Sequence, residues 1–287
     1  MTSTRPDSFP PSSSTSGDCA VCGNSCTTRC SACATNGCDW MFFCSTEHQK
    51  LVWHTHKRVC GVNAAPFQWP SFTESEAMNA KSLLLAEIEF RQSRGEGLGG
   101  LLGSDGRTTM TIPEIKVAID VVTEGSTLAY RYPYERHILA ARLRKQFFTL
   151  EIIRNGEVKK RSINSADMMA SISKDPFGAL ARFLDNFQSI YAKIIPAPSL
   201  MDSLLHKLLA HFSLLASYYK DTSKIDQYRS LLRYTKEEVL RYCREVVKFF
   251  RPDLACTIEI DLVHSFTKGT YQPLLETTGQ YSVWKPV

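Results

Sequence analysis

The feature that most constrains this chain is a series of cysteine and histidine pairs near its N-terminus. Two C-x2-C motifs are followed by a C-x3-H pair and then by an H-x3-C pair. A C-x2-C motif can turn the backbone so that both thiolates face one ion, and residues four apart on a helix share a face. Every pair therefore has chelating spacing. The pairs are Cys19 with Cys22, Cys30 with Cys33, Cys44 with His48, and His56 with Cys60.

These eight ligands are sufficient for two tetrahedral sites, and their chemistry indicates two zinc ions. Three cysteines and one histidine make a closed structural set that leaves no open position for water. Thiolates are also soft ligands, which disfavours magnesium and calcium. We therefore expect the ions to stabilise a fold and not to carry out catalysis. The spacing alone does not say which pairs share an ion.

Residues 42–60, FFCSTEHQKLVWHTHKRVC, resemble the second half of a MYND zinc finger. After its two C-x2-C motifs, that family reads roughly aromatic-C-S-x2-C-Q-x3-W-x2-H-x3-C. The resemblance is confined to about residues 19–60, and it implies a cross-braced finger in which the pairs interleave. On this pattern the first zinc is held by Cys19, Cys22, Cys44 and His48, and the second by Cys30, Cys33, His56 and Cys60.

The finger departs from the family pattern at two places. His48 stands where the family usually has a cysteine, and imidazole is an acceptable zinc ligand. The gap between the second and third pairs is longer than usual and contains Cys38. We expect Cys26 and Cys38 to be free thiols in short loops and His54 to be an exposed neighbour of the ligands. A RING finger is disfavoured, because its closing C-x2-C pair is replaced here by H-x3-C.

The resemblance also implies a binding surface. MYND fingers typically bind short proline-containing peptides of partner proteins, often transcriptional regulators, and the Gln and Trp of the Q-x3-W segment line the groove. Those positions are Gln49 and Trp53 here. An aromatic face that stacks on proline is physically reasonable. The alternative for Trp53 is a core residue that supports the zinc ligands. DNA binding by the finger is disfavoured, because its lysines and arginines are few.

Three further segments surround the finger, and the predicted fold class is α+β. Residues 1–18 are rich in Ser, Thr and Pro and lack an apolar stretch, which predicts a disordered tail and no signal peptide. Residues 61–72 contain prolines and scattered aromatics and are predicted to be a linker. Residues 73–287 are long enough for their own core and are predicted to form a mostly helical domain of unknown function.

The predicted domain over residues 73–287 combines helices with a small sheet. The sequence of residues 73–76 is typical of a helix N-terminus. Asn-Gly at residues 155–156 predicts a type I′ turn at the centre of a β-hairpin over residues 146–163. Residues 255–263 are β-rich and could return to that sheet as a strand. Helices are predicted over residues 165–173, 176–194, 199–221, 224–233 and 235–250.

The remaining composition predicts a soluble intracellular protein that does not enter a membrane. Most of the cysteines lie in the finger, whereas a disulfide framework would spread them over a small secreted domain. The most apolar stretch, residues 200–219, is interrupted by polar residues at helical spacing and predicts an amphipathic core helix. His206 and His211 in that stretch are expected to be partly exposed. Nuclear and cytoplasmic locations are both left open.

No catalytic residue is predicted, so the chain is interpreted as a non-enzymatic adaptor. It has neither a G-x-S-x-G nor an H-E-x-x-H motif. MYND fingers occur joined to SET lysine methyltransferases, but the Asn-His-x-Cys element of that family is missing around residues 264–266. An enzyme with an unrecognised active site in residues 73–287 remains the first alternative.

The second alternative is a regulator that associates with nucleic acid. Residues 131–161 contain nine lysines and arginines against three glutamates, whereas the whole chain carries a net charge of only +5. Such a basic segment could contact phosphates, with Arg142, Arg144 and residues 159–161 as its main contributors. Alternation with apolar residues favours a solvated face of an amphipathic element instead.

Overall fold

The computed structural model describes residues 15–95, 110–128, 135–158, 165–191 and 198–250. The chain divides into two compact units. The first unit comprises Met1–Phe67, Asn164–Pro176 and Phe183–Val287. The second unit comprises Gln68–Ile163 and Phe177–Arg182. No helix within the described residues is long and apolar enough to cross a membrane.

Helices dominate the described residues, beside one small sheet. Strands β1 (Gly17–Asp18) and β2 (Ser25–Cys26) pair antiparallel. The helices are α1 (Ser31–Thr35), α2 (Thr46–His56), α3 (Glu74–Ser93), α4 (Ile112–Val122), α5 (Arg136–Val158), α6 (Ser165–Lys174), α7 (Pro176–Tyr191), α8 (Pro198–Tyr219) and α9 (Ile225–Phe250). Short 3-10 turns cover Gly61–Asn63 and Thr222–Lys224.

Helix α8 is the centre of the first unit. It packs against α2, α6 and α9, which places neighbours on several sides of it. Its apolar residues occur all around the helix, as a helix with neighbours on several sides requires. The buried apolar side chains of α8 are Leu204, Leu205, Leu208, Leu209, Ala210, Phe212, Leu214, Leu215 and Ala216.

The polar residues of α8 are buried as well. Asp202, His206, Lys207 and His211 all lie in the interior of the first unit. The prediction that His206 and His211 are partly exposed was therefore wrong. Periodicity within the helix could not show this, because the partners of these side chains lie far away in the sequence. Buried polar groups need such partners, since an unpaired one costs about 1–3 kcal/mol.

The second unit is a three-helix packing of α3, α4 and α5. Helix α3 begins with a capping box, in which Thr73 Oγ1 accepts from the N–H of Glu76 at 3.2 Å and Glu76 Oε2 accepts from the N–H of Thr73 at 2.7 Å. This confirms the predicted helix start. The core between the three helices contains Phe72, Ala77, Ala80, Leu84, Ile115, Ala118, Ile119, Val122, Leu139, Ala140, Leu143 and Phe147.

The β-hairpin predicted over residues 146–163 was wrong, because α5 continues to Val158. Leu139, Leu143 and Phe147 follow one another at intervals of four residues and all lie in the core of the second unit. Packing of this helical stripe outweighs the local preference of the Asn-Gly pair. Residues 159–163 and the predicted strand over residues 255–263 lie outside the described residues.

The predicted helices after residue 165 largely agree with the structure, with one difference. The two helices expected over residues 224–233 and 235–250 are a single helix, α9. Thr235 does not cap a new helix, because its hydroxyl donates to the carbonyl of Leu231 at 2.7 Å. A threonine that bonds back by four residues in this way can stay inside a continuous helix.

The compact units also differ from the predicted segments. Gly17 and Asp18, which the sequence placed in the tail, form β1, while residues 1–14 lie outside the described residues. The two units meet in sequence between Phe67 and Gln68, which is inside the predicted linker. The chain from Phe183 onward belongs to the unit that contains the cysteine-rich segment, whereas the sequence grouped it with residues 73–163.

Candidate metal centre

Two clusters of cysteine and histidine side chains form in the finger, which we define as residues 17–60. The ligand atoms within each cluster all lie within 4.8 Å of one another. These groupings are the interleaved ones that the family resemblance implies. The outer cluster is Cys19, Cys22, Cys44 and His48, and the inner cluster is Cys30, Cys33, His56 and Cys60. In the outer cluster Cys22 and Cys44 are exposed, while in the inner cluster only Cys60 is not fully buried.

A tight turn positions the first two ligands of the outer cluster. The N–H of Gly23 donates to the carbonyl of Cys19 at 3.0 Å, which closes the turn around Cys22. Gly23 has a φ of +74°, a conformation that glycine adopts far more readily than other residues. The N–H of Ala20 donates to the carbonyl of Phe42 at 2.8 Å. This bond brings the chain just before Cys44 beside the first motif.

Helix α2 supplies the histidines of both clusters. Ser45 caps the helix by accepting from the N–H of His48 at 3.2 Å. Cys44 therefore stands just before the helix and His48 in its first turn. His56 is the last residue of α2, so it lies about two turns farther along the axis. One helix thus connects the two clusters. This explains why the ligand pairs of the two clusters alternate along the sequence.

The outer cluster has the dimensions of a tetrahedral zinc site. The Sγ atoms of Cys22 and Cys44 are 3.7 Å apart, and His48 Nδ1 lies 3.4 Å from Cys19 Sγ and 3.1 Å from Cys44 Sγ. With Zn–S near 2.3 Å and Zn–N near 2.0 Å, a tetrahedral ion separates two sulfurs by about 3.8 Å and a sulfur from a nitrogen by about 3.5 Å. A disulfide bond would instead require two Sγ atoms to lie about 2.05 Å apart. The spacing fits a shared ion.

The ligand distances in the inner cluster also match a tetrahedral zinc site, although its histidine contributes Nε2 and not Nδ1. Cys60 Sγ lies 3.5 Å from both Cys30 Sγ and Cys33 Sγ. His56 Nε2 lies 3.5 Å from Cys33 Sγ. Both clusters could therefore hold a metal ion, and zinc is the ion whose geometry and ligand preference match them. Each set is closed, so neither leaves a position at which a substrate would bind to the metal.

One cysteine in each cluster has surroundings that favour the thiolate form that a metal requires. Burial by itself would raise the pKa of Cys19, but hydrogen bonds from the backbone of Cys44, Val21 and Cys22 outweigh it and, with His48, lower the pKa to about 7. In the inner cluster, hydrogen bonds from the Cys30 and Cys38 thiols lower the pKa of Cys33. By contrast, a hydrogen bond to Cys33 raises the pKa of Cys30, and burial raises the pKa of Cys44 and of Cys60.

Cys26, Cys38 and His54 are not members of either cluster. Cys26 lies in β2 and its thiol donates to the carbonyl of Gly17 at 3.5 Å. Cys38 is buried, and its hydrogen bond to Cys33 together with burial raises its pKa, so it remains a neutral thiol beside a ligand. His54 is exposed on α2. Both extra cysteines are free thiols, and Cys38 is a hydrogen-bonding neighbour of the inner cluster.

Gln49 and Trp53, the residues predicted to bind a peptide, lie one turn apart on α2. Gln49 is partly exposed. The side chain of Trp53 is 45% exposed, which argues against its alternative role as a core residue. Its ring centroid lies 5.9 Å from that of His56, so the indole rests against a ligand of the inner cluster. An aromatic ring on the helix that connects the two candidate metal clusters is therefore presented to solvent.

The sequence missed the residues that join α8 to the finger and to the segment that follows it. His206 donates from Nε2 to the carbonyl of Ala64, and His211 donates from Nε2 to the carbonyl of Ala20, both at 2.9 Å. Ser213 donates to the hydroxyl of Thr55 on α2 at 3.2 Å. One feature of the sequence could have revealed these contacts. The α8 segment is too apolar for a surface helix, so the polar residues in it are expected to be buried and hydrogen-bonded.

A partly buried charge network, in which Lys207 and Glu238 are buried and Arg241 and Asp18 are half exposed, extends the same contact to α9. Lys207 and Arg241 both donate to Glu238 Oε2 at 2.7 Å, and Arg241 also reaches Asp18 of β1 at 3.3 Å. Burial lowers the pKa of Lys207. Burial would raise the pKa of Glu238, but its two cationic neighbours outweigh this and lower it. The two buried charges, Lys207 and Glu238, are therefore paired with each other, as buried charges require.

Arg144, proposed from the sequence as a contributor to a basic patch, is buried in the second unit. Its guanidinium donates to the carbonyl of Pro70 at 2.6 Å and to that of Ser71 at 3.0 Å, and it pairs with Glu76 at 3.3 Å. It also lies 4.6 Å from the ring centroid of Phe72. Arg144 is therefore not available to phosphates, so that part of the nucleic-acid hypothesis was wrong. Residues 131–134 and 159–161 lie outside the described residues.

The second unit has a shallow groove of about 440 Å³ between the start of α3 and the end of α4. Its lining combines carboxylates with apolar side chains, and Lys81 pairs with Asp120 across it at 2.5 Å. It contains neither a cysteine nor a histidine. The two metal clusters therefore remain the strongest candidate site among the described residues.

Comparison with known proteins identifies no similar protein. No protein-family model, no curated protein and no solved structure matches this chain. The functional conclusion therefore depends on the two clusters themselves. They are two Cys3His sites that could each bind a metal ion, and they indicate a metal-binding protein.

Proposed function

We propose that this chain is a zinc-binding adaptor whose MYND-type finger binds proline-containing peptides of partner proteins. The observation that carries this proposal is the exposed ring of Trp53 on a helix braced by two closed metal clusters. A closed Cys3His site offers no open coordination position, so its ion supports the fold. The function is then expressed by the surface that the ions hold in place.

The surface around Trp53 has the chemistry that a proline-rich segment requires. The indole ring can stack on a proline ring, and a polyproline II peptide is already extended, so little conformational entropy is lost on binding. The amide of Gln49, one turn away on α2, can both donate to and accept from the peptide backbone. The ring of His56 packs against the indole at a tilt of 54°, so the inner cluster supports one side of Trp53. Partners among transcriptional regulatory proteins are the class that the family resemblance favours.

The test is affinity capture from a cell extract with the intact chain and with Trp53→Ala. Both proteins are first shown to hold two zinc ions per chain by elemental analysis. Leu51→Ala is the matched control, because Leu51 lies on the same helix and is 43% exposed. We expect a set of partners that Trp53→Ala and Gln49→Ala lose and that Leu51→Ala retains. Synthetic peptides that cover the proline-containing segments of those partners should then bind the intact chain.

Retention of the same partners by Trp53→Ala would show that the indole is not the recruiting surface. In that case the two ions serve the fold alone, and the search for function moves to the second unit. Loss of partners in Leu51→Ala as well would point to general damage of α2. Such a result would equally remove the specific peptide groove from the proposal.

A further inference from the structure

The first C-x2-C motif of the outer cluster is held by side chains from distant helices. The carbonyl of Cys19 accepts from the N–H of Gly23 at 3.0 Å and also from the hydroxyl of Tyr234 at 3.3 Å. The next carbonyl, that of Ala20, accepts from His211 Nε2 at 2.9 Å. His211 belongs to α8 and Tyr234 to α9. Neither side chain is a metal ligand.

His211 is fixed in the tautomer that this contact needs. The side chain is completely buried, and burial lowers its pKa to about 4, so the ring is neutral near pH 7. Because the carbonyl of Ala20 can only accept, the single proton of the neutral ring must lie on Nε2. This leaves Nδ1 as an acceptor 3.0 Å from the hydroxyl of Thr235, whose one proton is shared between Nδ1 and the carbonyl of Leu231. A partner on one ring nitrogen commonly sets the role of the other in this way.

Tyr234 lies directly against the turn. Its ring centroid is 5.0 Å from that of His211. A Cβ added to Gly23 would lie 3.3 Å from the Tyr234 ring, so the absence of a side chain at Gly23 permits this approach. The adjacent residue Asp18 is tied to α9 as well, through Arg241 at 3.3 Å. The residues on both sides of Cys19 thus contact α8 or α9, Ala20 through its carbonyl and Asp18 through its side chain.

The corresponding motif of the inner cluster is held by the finger itself. The carbonyl of Cys30 accepts from the N–H of Ala34 at 3.0 Å, within the first turn of α1. The carbonyl of Cys33 accepts from the N–H groups of Asn36 and Cys38, both at 3.0 Å. The two clusters therefore differ in what supports them, since only the outer motif receives these side-chain donors from α8 and α9 among the described contacts.

We propose that His211 and Tyr234 are positioning residues of the outer cluster. By holding the carbonyls of Ala20 and Cys19, they fix the direction in which the Cys19 thiolate points and determine how firmly the outer cluster retains its ion. The inner cluster does not depend on them. This inference rests on the proposed binding of two zinc ions. Loss of partners outside the ligand set typically weakens metal affinity by roughly 10–100-fold, which sets the size of the expected effect.

The test uses the full chain loaded with cadmium, whose NMR spectrum reports each cluster separately. His48→Cys assigns the outer signal, because replacement of its one nitrogen ligand by sulfur shifts that signal alone. Transfer of each ion to excess EDTA is then followed in the wild type, Tyr234→Phe, His211→Leu and His211→Gln. The glutamine variant keeps a donor for Ala20. Tyr219→Phe is the matched control, since Tyr219 lies two turns farther along α8, where its ring faces Tyr228.

We expect Tyr234→Phe and His211→Leu to lose the outer ion about 10-fold faster or more, with an unchanged rate for the inner ion. His211→Gln should recover part of the lost retention, and Tyr219→Phe should match the wild type. Equal acceleration at both clusters would overturn the proposal, because it would indicate general loosening of the fold. Unchanged rates at the outer cluster would overturn it too. A wild-type chain without two cadmium signals would instead reject the two-zinc finger itself, a result distinguishable from the others.

Discussion

The imidazole of His206 donates from Nε2 to the carbonyl of Ala64 at 2.9 Å, although 142 residues separate them in the sequence. The same ring lies with its centroid 5.0 Å from that of Phe67 and 6.1 Å from that of the metal ligand His56. The finger and the chain that follows it are thus in direct contact with the interior of α8. The finger belongs to the core of the first unit and is not an independent module attached to it.

Removal of the metal should therefore loosen α8 and α9 as well as the finger. His211 of α8 bonds to the finger carbonyl of Ala20, and His206 bonds to the carbonyl of Ala64 just after the finger. A finger without its ions is too small to hold its shape. We expect amide hydrogen exchange in α8 and α9 to accelerate strongly after treatment with EDTA. The amides of α3, α4 and α5, which share their own core, should change far less and serve as the internal control. Uniform exchange across the chain would contradict this prediction.

Replacement of Gly23 by alanine should destabilise the protein more than the same change at Gly37. Both glycines have a positive φ, +74° for Gly23 and +81° for Gly37, so both variants carry similar backbone strain of about 1 kcal/mol. Only at Gly23 would the new Cβ press on Tyr234, because Gly37 has no atom within 4 Å of that position. We expect urea denaturation to show a further loss of about 1 kcal/mol for Gly23→Ala. Equal losses of unfolding free energy in the two variants would mean that the Tyr234 ring can move away from the new Cβ without destabilising the protein.

The ligand residues of the two metal clusters are the part of the site that could be predicted best from the sequence. Paired ligands with chelating spacing are local signals, and the family pattern supplied the interleaved groups that the structure brings together. The start of α3 was equally accessible, because Thr73 and Glu76 form a capping box within a single turn. Both features depend on residues that are close in the sequence, so the sequence pattern alone is enough to predict them.

The errors arose where distant residues decide the outcome. Asn155-Gly156 predicted a turn, but the apolar stripe of α5 packs into the second unit and keeps the helix intact. His206 and His211 were expected at a surface, yet carbonyls more than a hundred residues away make their burial possible. Arg144 was counted as a surface charge for the same reason. Such contacts follow from the tertiary fold and leave no local signature.

Arg144 should be essential for the stability of the second unit. Its guanidinium satisfies two carbonyls and a carboxylate at once, and it is only 2% exposed. Substitution by leucine removes a donor from the two carbonyls and the ion-pair partner from Glu76, which should cost about 3–5 kcal/mol. Arg144→Lys keeps the charge but lacks the planar fork, so it should recover only part of this stability. Urea denaturation of the two variants measures both effects, and full recovery by lysine would contradict the prediction.

Stability should fall with decreasing pH through a window set by His211. Burial lowers the pKa of this residue from 6.5 to about 4, so the unfolded chain binds more protons than the folded one between these values. His211 therefore contributes stability that is fully present above about pH 6.5 and is lost progressively as the pH falls toward 4, by about 3 kcal/mol in total. Glutamine at this position cannot take up the proton. We expect chemical denaturation from pH 7.5 to 4.5 to show a smaller pH dependence for His211→Gln than for the wild type, with the protonation of metal ligands common to both. Parallel curves would show that His211 stays neutral in both states or is already charged when folded.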